Sequence, residues 1–251
     1  MTGTYDLTLV LASYAISVFG SYTALQLAGQ ITNLRDSVNR LWLLGAAVAL
    51  GGGAIWSMHF VAMLAYVMPM YVSYDITLTL LSLLVAVAVT GVGFAMICRK
   101  PTLSFSTLLG AGLIMGIGVG SMHYTGMAAM QMEGATSHHD PMIVAISIVI
   151  AIVASTAALW IAFHLRKGWQ KFVSAFVMGV AVCGMHYTAM TGVSFTHTAS
   201  TVDSLMGLDS VIFPRDLATY VIVATVGVLS LALVALFAKE LNDASNDTSN
   251  I

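Results

Sequence analysis

Seven uninterrupted apolar runs leave this chain few ways to fold. They cover Leu7–Ala28, Leu41–Val67, Ile76–Cys98, Phe105–Met130, Met142–Leu165, Phe172–Val193 and Leu217–Ala238. Each is long enough to cross a bilayer as a helix, for which about 20 residues suffice. A backbone in hydrocarbon must satisfy its own hydrogen bonds, and a helix does so within one segment. Pro69, Pro101, Pro141 and Pro214 all fall between the runs, where a missing amide hydrogen costs little. With 8% of residues charged and 59% hydrophobic, the composition excludes an ordinary soluble globule. The expected class is an all-α integral membrane protein with seven transmembrane helices.

Orientation follows from the basic residues. Arg35, Arg40, Arg99, Lys100, Arg166, Lys167, Lys171 and Lys239 fall on one side, which the positive-inside rule makes cytoplasmic. The other side carries Asp6, Asp75, Glu133, Asp140, Asp203, Asp209 and Asp216, with Arg215 its only base. The expected N-terminus is therefore periplasmic and the C-terminus cytoplasmic. The opening Met1–Asp6 has no basic segment, so the first helix reads as a retained span rather than a cleaved signal. Residues 1–241 form one domain in this reading, and the polar stretch 242–251 a cytoplasmic tail or linker. Net charge is −2 and no basic patch suits nucleic acid. No soluble catalytic motif is present, so an enzyme is not expected.

One short phrase recurs three times inside the apolar runs. It reads Ser57-Met58-His59-Phe60-Val61-Ala62-Met63, then Ser121-Met122-His123-Tyr124-Thr125-Gly126-Met127, then Gly184-Met185-His186-Tyr187-Thr188-Ala189-Met190. The histidines are 64 and 63 residues apart, the period of a helix pair with its loops. Helices 2–3, 4–5 and 6–7 then make three parallel repeats behind a lone N-terminal helix. His59 and His123 each lie 18 residues after the cytoplasmic start of their helix, about 27 Å at 1.5 Å per residue. His186 lies 14 residues in, about 21 Å. All three belong to one layer in the outer half of the membrane. Gly51, Gly52, Gly53, Gly112, Gly116 and Gly120 would let these helices approach closely.

A histidine inside a bilayer is a functional candidate, because burying it without a partner is costly. His59 with Met63, His123 with Met127 and His186 with Met190 share a helix face at four-residue spacing. Met58, Met122 and Met185 point about 140° away from those partners and face a neighbour or another ion. Imidazole plus thioether is a soft, neutral donor set that suits copper, Cu(I) above all, and is poor for magnesium or calcium. The apolar runs contain no carboxylate, which disfavours di-iron chemistry. Tyr124, Thr125, Tyr187 and Thr188 follow their histidines and are candidates to orient imidazoles on adjacent helices. Cys183, the outer methionines Met68, Met70, Met130 and Met132, and the loop histidines His138, His139 and His197 are weaker candidates. Hydrogen-bonding histidines without metal and haem ligation remain open on these residues alone.

The tripled Met-His-Tyr/Phe-Thr/Val pattern on alternate helices resembles the MHYT sensor domain of bacteria, and Ser21-Tyr22-Thr23-Ala24-Leu25 resembles that family's first helix. The similarity runs from about Leu7 to Ala238; the first motif departs from it at Phe60 and Val61. The resemblance implies a domain of the bacterial inner membrane that binds copper through the motif Met and His. It further implies a diatomic gas ligand (O2, CO or NO) and a cytoplasmic diguanylate cyclase or phosphodiesterase output, in cis or in trans. A copper carrier and a haem-binding membrane oxidoreductase are the competing expectations.

Overall fold

A computed structural model of the chain describes residues 3–31, 37–99, 104–132, 134–165, 167–197 and 211–249. Arg35, Lys100, Arg166, Pro101, Glu133, Asp203 and Asp209, used above in reading topology, lie outside the described residues, as do Asn250 and Ile251. Among the described residues, seven helices are long and apolar enough to cross a membrane. They are α1 (Leu7–Ala28), α2 (Asn39–Ala65), α3 (Ile76–Cys98), α4 (Phe105–Ala129), α5 (Pro141–His164), α6 (Gly168–Thr191) and α7 (Pro214–Ser249). The chain is a multi-pass membrane protein. Helix α7 continues through Asn242–Ser249, where the sequence suggested a tail, and Lys239 bridges Asp243 one turn further along it at 2.7 Å.

Short strands gather at one end of the bundle. β1 (Thr4–Tyr5) pairs with β2 (Tyr66–Val67), and β3 (Val72–Asp75) pairs with β4 (Met130–Met132) and β7 (Val211–Ile212). β5 (Ala135–His139) pairs with β6 (Val193–His197). All pairings are antiparallel, and together they tie off the ends where the motif helices stop. Met130 and Met132 are thereby strand residues of this cap.

Helices α1, α3 and α5 start from this same end, and each has the same opening. Asp6, Asp75 and Asp140 sit at the N-caps of α1, α3 and α5 and accept from Thr8, Leu78 and Met142 backbone amides at 2.8 Å. Seven residues after each cap comes a buried serine: Ser13, Ser82 and Ser147. Four and eight residues further come Ser17 and Ser21, Ala86 and Thr90, and Ala151 and Ser155, all buried. These small side chains form the inward stripe of each outer helix.

That shared pattern shifts the phase of the repeat. Helix α3 lies against α2 and α4, and α5 against α4 and α6. The corresponding place between α6 and α2 is filled by α1, while α7 lies against α2 and α1 from outside. The three-pair, seven-helix architecture holds, but the helix outside the ring is the last one. Its buried residues, Leu217, Val221, Thr225, Leu229 and Leu236, fall at helical spacing and form the stripe that it presents to the bundle.

Helix α2 departs from an ordinary helix. Val48–Trp56 is π-helical, and regular α-helix resumes at Ser57, directly before the first motif. Gly51, Gly52 and Gly53 lie within the wide segment, where absent side chains let the backbone open. On α4, a methyl group at Gly116 would come within 2.6 Å of the Ile152 backbone nitrogen, so α4 and α5 touch backbone to backbone there. Gly184 on α6 has nothing within 4 Å of the same position. Gly116→Ala is expected to destabilise the detergent-solubilised protein by about 1–3 kcal/mol through forced separation of α4 and α5, and Gly184→Ala to leave its thermal unfolding unchanged.

Candidate metal centre

The three motif histidines meet at the centre of the bundle. His59 on α2, His123 on α4 and His186 on α6 are each 1% exposed or less. His59 Nδ1 lies 3.1 Å from His186 Nδ1 and 3.1 Å from His123 Nδ1. Ring centroids are 4.8, 5.0 and 5.1 Å apart, with interplanar angles of 75–79°. The rings form a three-bladed propeller. The single layer inferred from spacing is thus a direct contact between side chains 64 and 127 residues apart in the chain.

Hydrogen bonding cannot satisfy this cluster from within. A neutral imidazole has one N–H and one lone pair, so His59 Nδ1 plays only one of those roles at a time. Its two 3.1 Å contacts therefore compete. The Nε2 atoms of all three histidines are buried and have no partner in the protein. An unsatisfied buried donor or acceptor costs about 1–3 kcal/mol. Three such rings in one place point to a shared ligand for their nitrogens.

The residues fit a metal ion. One ring nitrogen from each histidine lies within 4.8 Å of the others, which makes the three the metal-competent group among the described residues. Two nitrogens each about 2.0 Å from one ion are at most about 4 Å apart; the two 3.1 Å contacts fall inside that limit, and the 4.8 Å spread of the group would have to close slightly around an ion. Met58, Met63, Met122, Met127, Met185 and Met190 are all buried, 6% exposed or less. The nitrogen donors come from three different helices; the sequence suggested a His–Met pair from each one. The methionines supply the surrounding soft, uncharged core.

Other sequence candidates take different places. The hydroxyls of Tyr124 and Tyr187 turn to the outer helices: Tyr124 meets Ser147 on α5 at 2.8 Å and Tyr187 meets Ser13 on α1 at 3.1 Å. What touches the imidazole is the aromatic ring. His123–Tyr124, His186–Tyr187 and His59–Phe60 are edge-to-face contacts at 4.8, 5.0 and 5.0 Å. That explains why phenylalanine serves in the first motif. Thr125 and Thr188 are half-buried, and neither hydroxyl is hydrogen-bonded to a histidine. Cys183 is a half-buried free thiol beside Ser13 and outside the histidine group. His164 stacks on Trp160 at 4.8 Å near the opposite end of α5.

The cap covers the centre from one side. His138 Nε2 contacts Thr196 Oγ1 at 3.0 Å, and the His139 ring stands edge-on to Tyr124 at 5.4 Å. Burial, with His138 beside it, holds the His139 imidazole below its usual pKa, so it stays neutral. Tyr5 packs on Tyr66 and Tyr187 at 5.1 and 5.7 Å, and burial among them pushes its phenol up to about 12. His197 pairs with Ala135 in the strand ladder.

Two features of the site were not read from the sequence. Gly126 faces His59: a methyl group there would collide with Nε2 and lie 2.8 Å from Cδ2 of that ring. The first and third motifs have Ala62 and Ala189 at this position, so the odd glycine was a visible signal. The other is Ser57, which donates to Gly52 O at 2.8 Å or meets Thr225 Oγ1 of α7 at 2.6 Å. It ties the junction between π- and α-helix, two residues before His59, to the last helix.

Fold and site together define a multi-pass helical membrane protein built around a buried trihistidine centre. The family model described as bacterial signalling protein N-terminal repeat matches residues 52–111 and 116–175, and the chain belongs to this MHYT family. It is 41% identical to the bifunctional diguanylate cyclase/cyclic di-GMP phosphodiesterase MucR of Pseudomonas aeruginosa over 239 residues. That match takes in 93% of this chain and 34% of MucR. The cyclic di-GMP phosphodiesterase NbdA of the same organism is 36% identical over 79% of this chain and 26% of its own length. The signaling protein YkoW of Bacillus subtilis is 34% identical over 76% of this chain and 24% of its own. The chain thus spans about a third or less of the relatives it matches. No solved structure matches it.

The paired hydroxyls give a direct check on how α1 is held to α6. Tyr187→Phe and Ser13→Ala are each expected to cost about 0.5–1.5 kcal/mol in detergent unfolding. The double variant should cost about as much as Ser13→Ala alone, because the bond lost in Tyr187→Phe is already gone when Ser13, which also donates to Val10 O, is replaced.

Proposed function

We propose that the chain is a membrane sensor domain that binds copper at its trihistidine centre and reports the state of that centre to a cyclic di-GMP output. The convergence of three buried imidazoles, with His59 Nδ1 3.1 Å from the Nδ1 atoms of both His123 and His186, is the observation that supports it. His59, His123 and His186 are the principal ligands. Met63, Met127 and Met190, with Met58, Met122 and Met185, supply further thioether donors and a soft surrounding. Three imidazoles are also a known zinc donor set; the buried thioethers on the same three helices are what favour copper. Bound there, copper would supply a redox couple and a coordination position for O2, CO or NO. Copper itself is the simpler signal at the same site. The domain carries out no turnover of its own.

The protein's residues provide the rest of the mechanism. Phe60, Tyr124 and Tyr187 fix the ring planes from the side. The aromatic and strand cap keeps water from the donors. Any change in the distance between the three imidazoles moves α2 against α4 and α6. Ser57 then passes displacement of α2 to Thr225, and Leu229 packs over Gly53 in the π-helical segment. Helix α7 runs on to Ser249 as one rigid element towards an output module in cis or a partner in trans. The membrane is the bacterial inner membrane, with the strand cap periplasmic and the end of α7 cytoplasmic, as the basic residues indicate.

The rival readings fare less well. Haem needs a slot for a flat macrocycle between its axial ligands, and centroid separations of 4.8–5.1 Å leave none. A carrier needs donors across the whole bilayer, whereas the convergent imidazoles form one layer.

Elemental analysis of detergent-purified protein after copper loading tests the proposal. Wild type should retain copper and the His59→Ala/His123→Ala/His186→Ala variant should not; equal retention, or none in either, removes the copper reading. Gly126→Ala should weaken copper binding by at least about tenfold, or about 1.4 kcal/mol, because the added methyl displaces the His59 ring.

A further inference from the structure

Below the histidine layer the bundle is not filled. A cavity of about 30 Å³ lies between α2, α4, α5 and α6. Leu50, Met115, Val119, Ala151 and Met178 form its body, and Met185, the residue before His186, forms the side nearest the centre. Ser155 is the one polar residue in the wall. A water needs about 10–15 Å³ and two to four polar partners. The space is larger than that, and the partners are lacking. The Met115 sulfur turns towards Gly93 of α3, so the wall does not present a cluster of thioethers that would hold a soft cation.

The cavity also has a side entrance. Ala154, Ala181 and Val182 belong to its wall yet are only half-buried. Around them Val153, Val177 and Val180 are 57–63% exposed on the outer faces of α5 and α6. That surface meets lipid in a membrane-spanning bundle. Short side chains on both helices keep the gap open, and its rim is wholly apolar. A solute entering here partitions from hydrocarbon, where small apolar gases are more concentrated than in water.

We infer that this cavity is a docking site for a small apolar gas, entering from the bilayer between α5 and α6 and resting beneath the trihistidine centre. The ligand class follows from the wall: a molecule of two or three atoms, without charge and with no need of hydrogen bonds. Occupancy raises the local gas concentration on the inner side of the ring, opposite the aromatic cap. The site stands on its own walls. Its service to a metal at the centre rests on the sensor reading above.

Xenon is the probe for the cavity itself. Xenon-129 NMR of the protein in nanodiscs should show one saturable site in wild type. It should persist in the His59→Ala/His123→Ala/His186→Ala variant, which separates this inference from the copper proposal. Ala151→Leu, which fills the body, should weaken xenon binding by at least about tenfold while copper retention is unchanged. Ala154→Leu, at the half-exposed mouth, should slow xenon exchange and, in the copper-loaded protein, the association of CO by a similar factor. Absence of saturable xenon in wild type overturns the inference, as does undiminished binding in a folded Ala151→Leu protein. Unchanged exchange in Ala154→Leu overturns the lateral entrance.

Discussion

Three imidazoles buried together without enough hydrogen bonds among them are the constraint around which this molecule is organised. In water each free nitrogen would be solvated; at the centre of a transmembrane bundle each is an expense of about 1–3 kcal/mol. Nothing in a purely apolar bundle would assemble such a cluster. It is tolerable where the backbones hold the rings in place and something shared satisfies the nitrogens. The rest of the fold serves the first condition. Glycine and alanine bring α4 against α5, serine stripes let α1, α3 and α5 press on the even helices, and short strands tie the motif ends together.

The pseudo-threefold arrangement assigns different work to similar helices. The even helices carry the donors and lie inside; α1, α3 and α5 brace them from outside through matching positions counted from an aspartate cap. Symmetry is broken at α2: among the described residues it alone has a π-helical segment, and it alone is tied to α7 by a hydrogen bond between hydroxyls. That segment ends three residues before His59, and such wide turns are frequent at functional sites.

Much of the site was legible in the residues. The tripled phrase and its period located His59, His123 and His186, and the helical rise put them in one layer. The motif methionines were read as donors paired with their own histidines, since helix geometry reports neighbours on one helix and says nothing of rings approaching from others; all six are buried. Tyr124 and Tyr187 were read as candidates to orient imidazoles on adjacent helices; their rings stand edge-on to the histidine before them on the same helix, as Phe60 does in the first motif. Gly126 was passed over although Ala62 and Ala189 mark its oddity, since its importance lies only in what stands opposite.

What the amino-acid order alone determined is the number of spans, the class of protein and the depth of the histidines, because each depends on hydropathy and spacing along one helix. The tertiary structure decided which helix completes the ring. Helices 1 and 7 are both apolar enough to cross a membrane, and both adjoin the repeats in sequence. Only the fit of the Ser13–Ser17–Ser21 stripe and the Tyr187 hydroxyl bond place α1 inside and α7 outside. Complementarity between segments more than 170 residues apart leaves no periodic trace in either one, and so it becomes visible only once they have met.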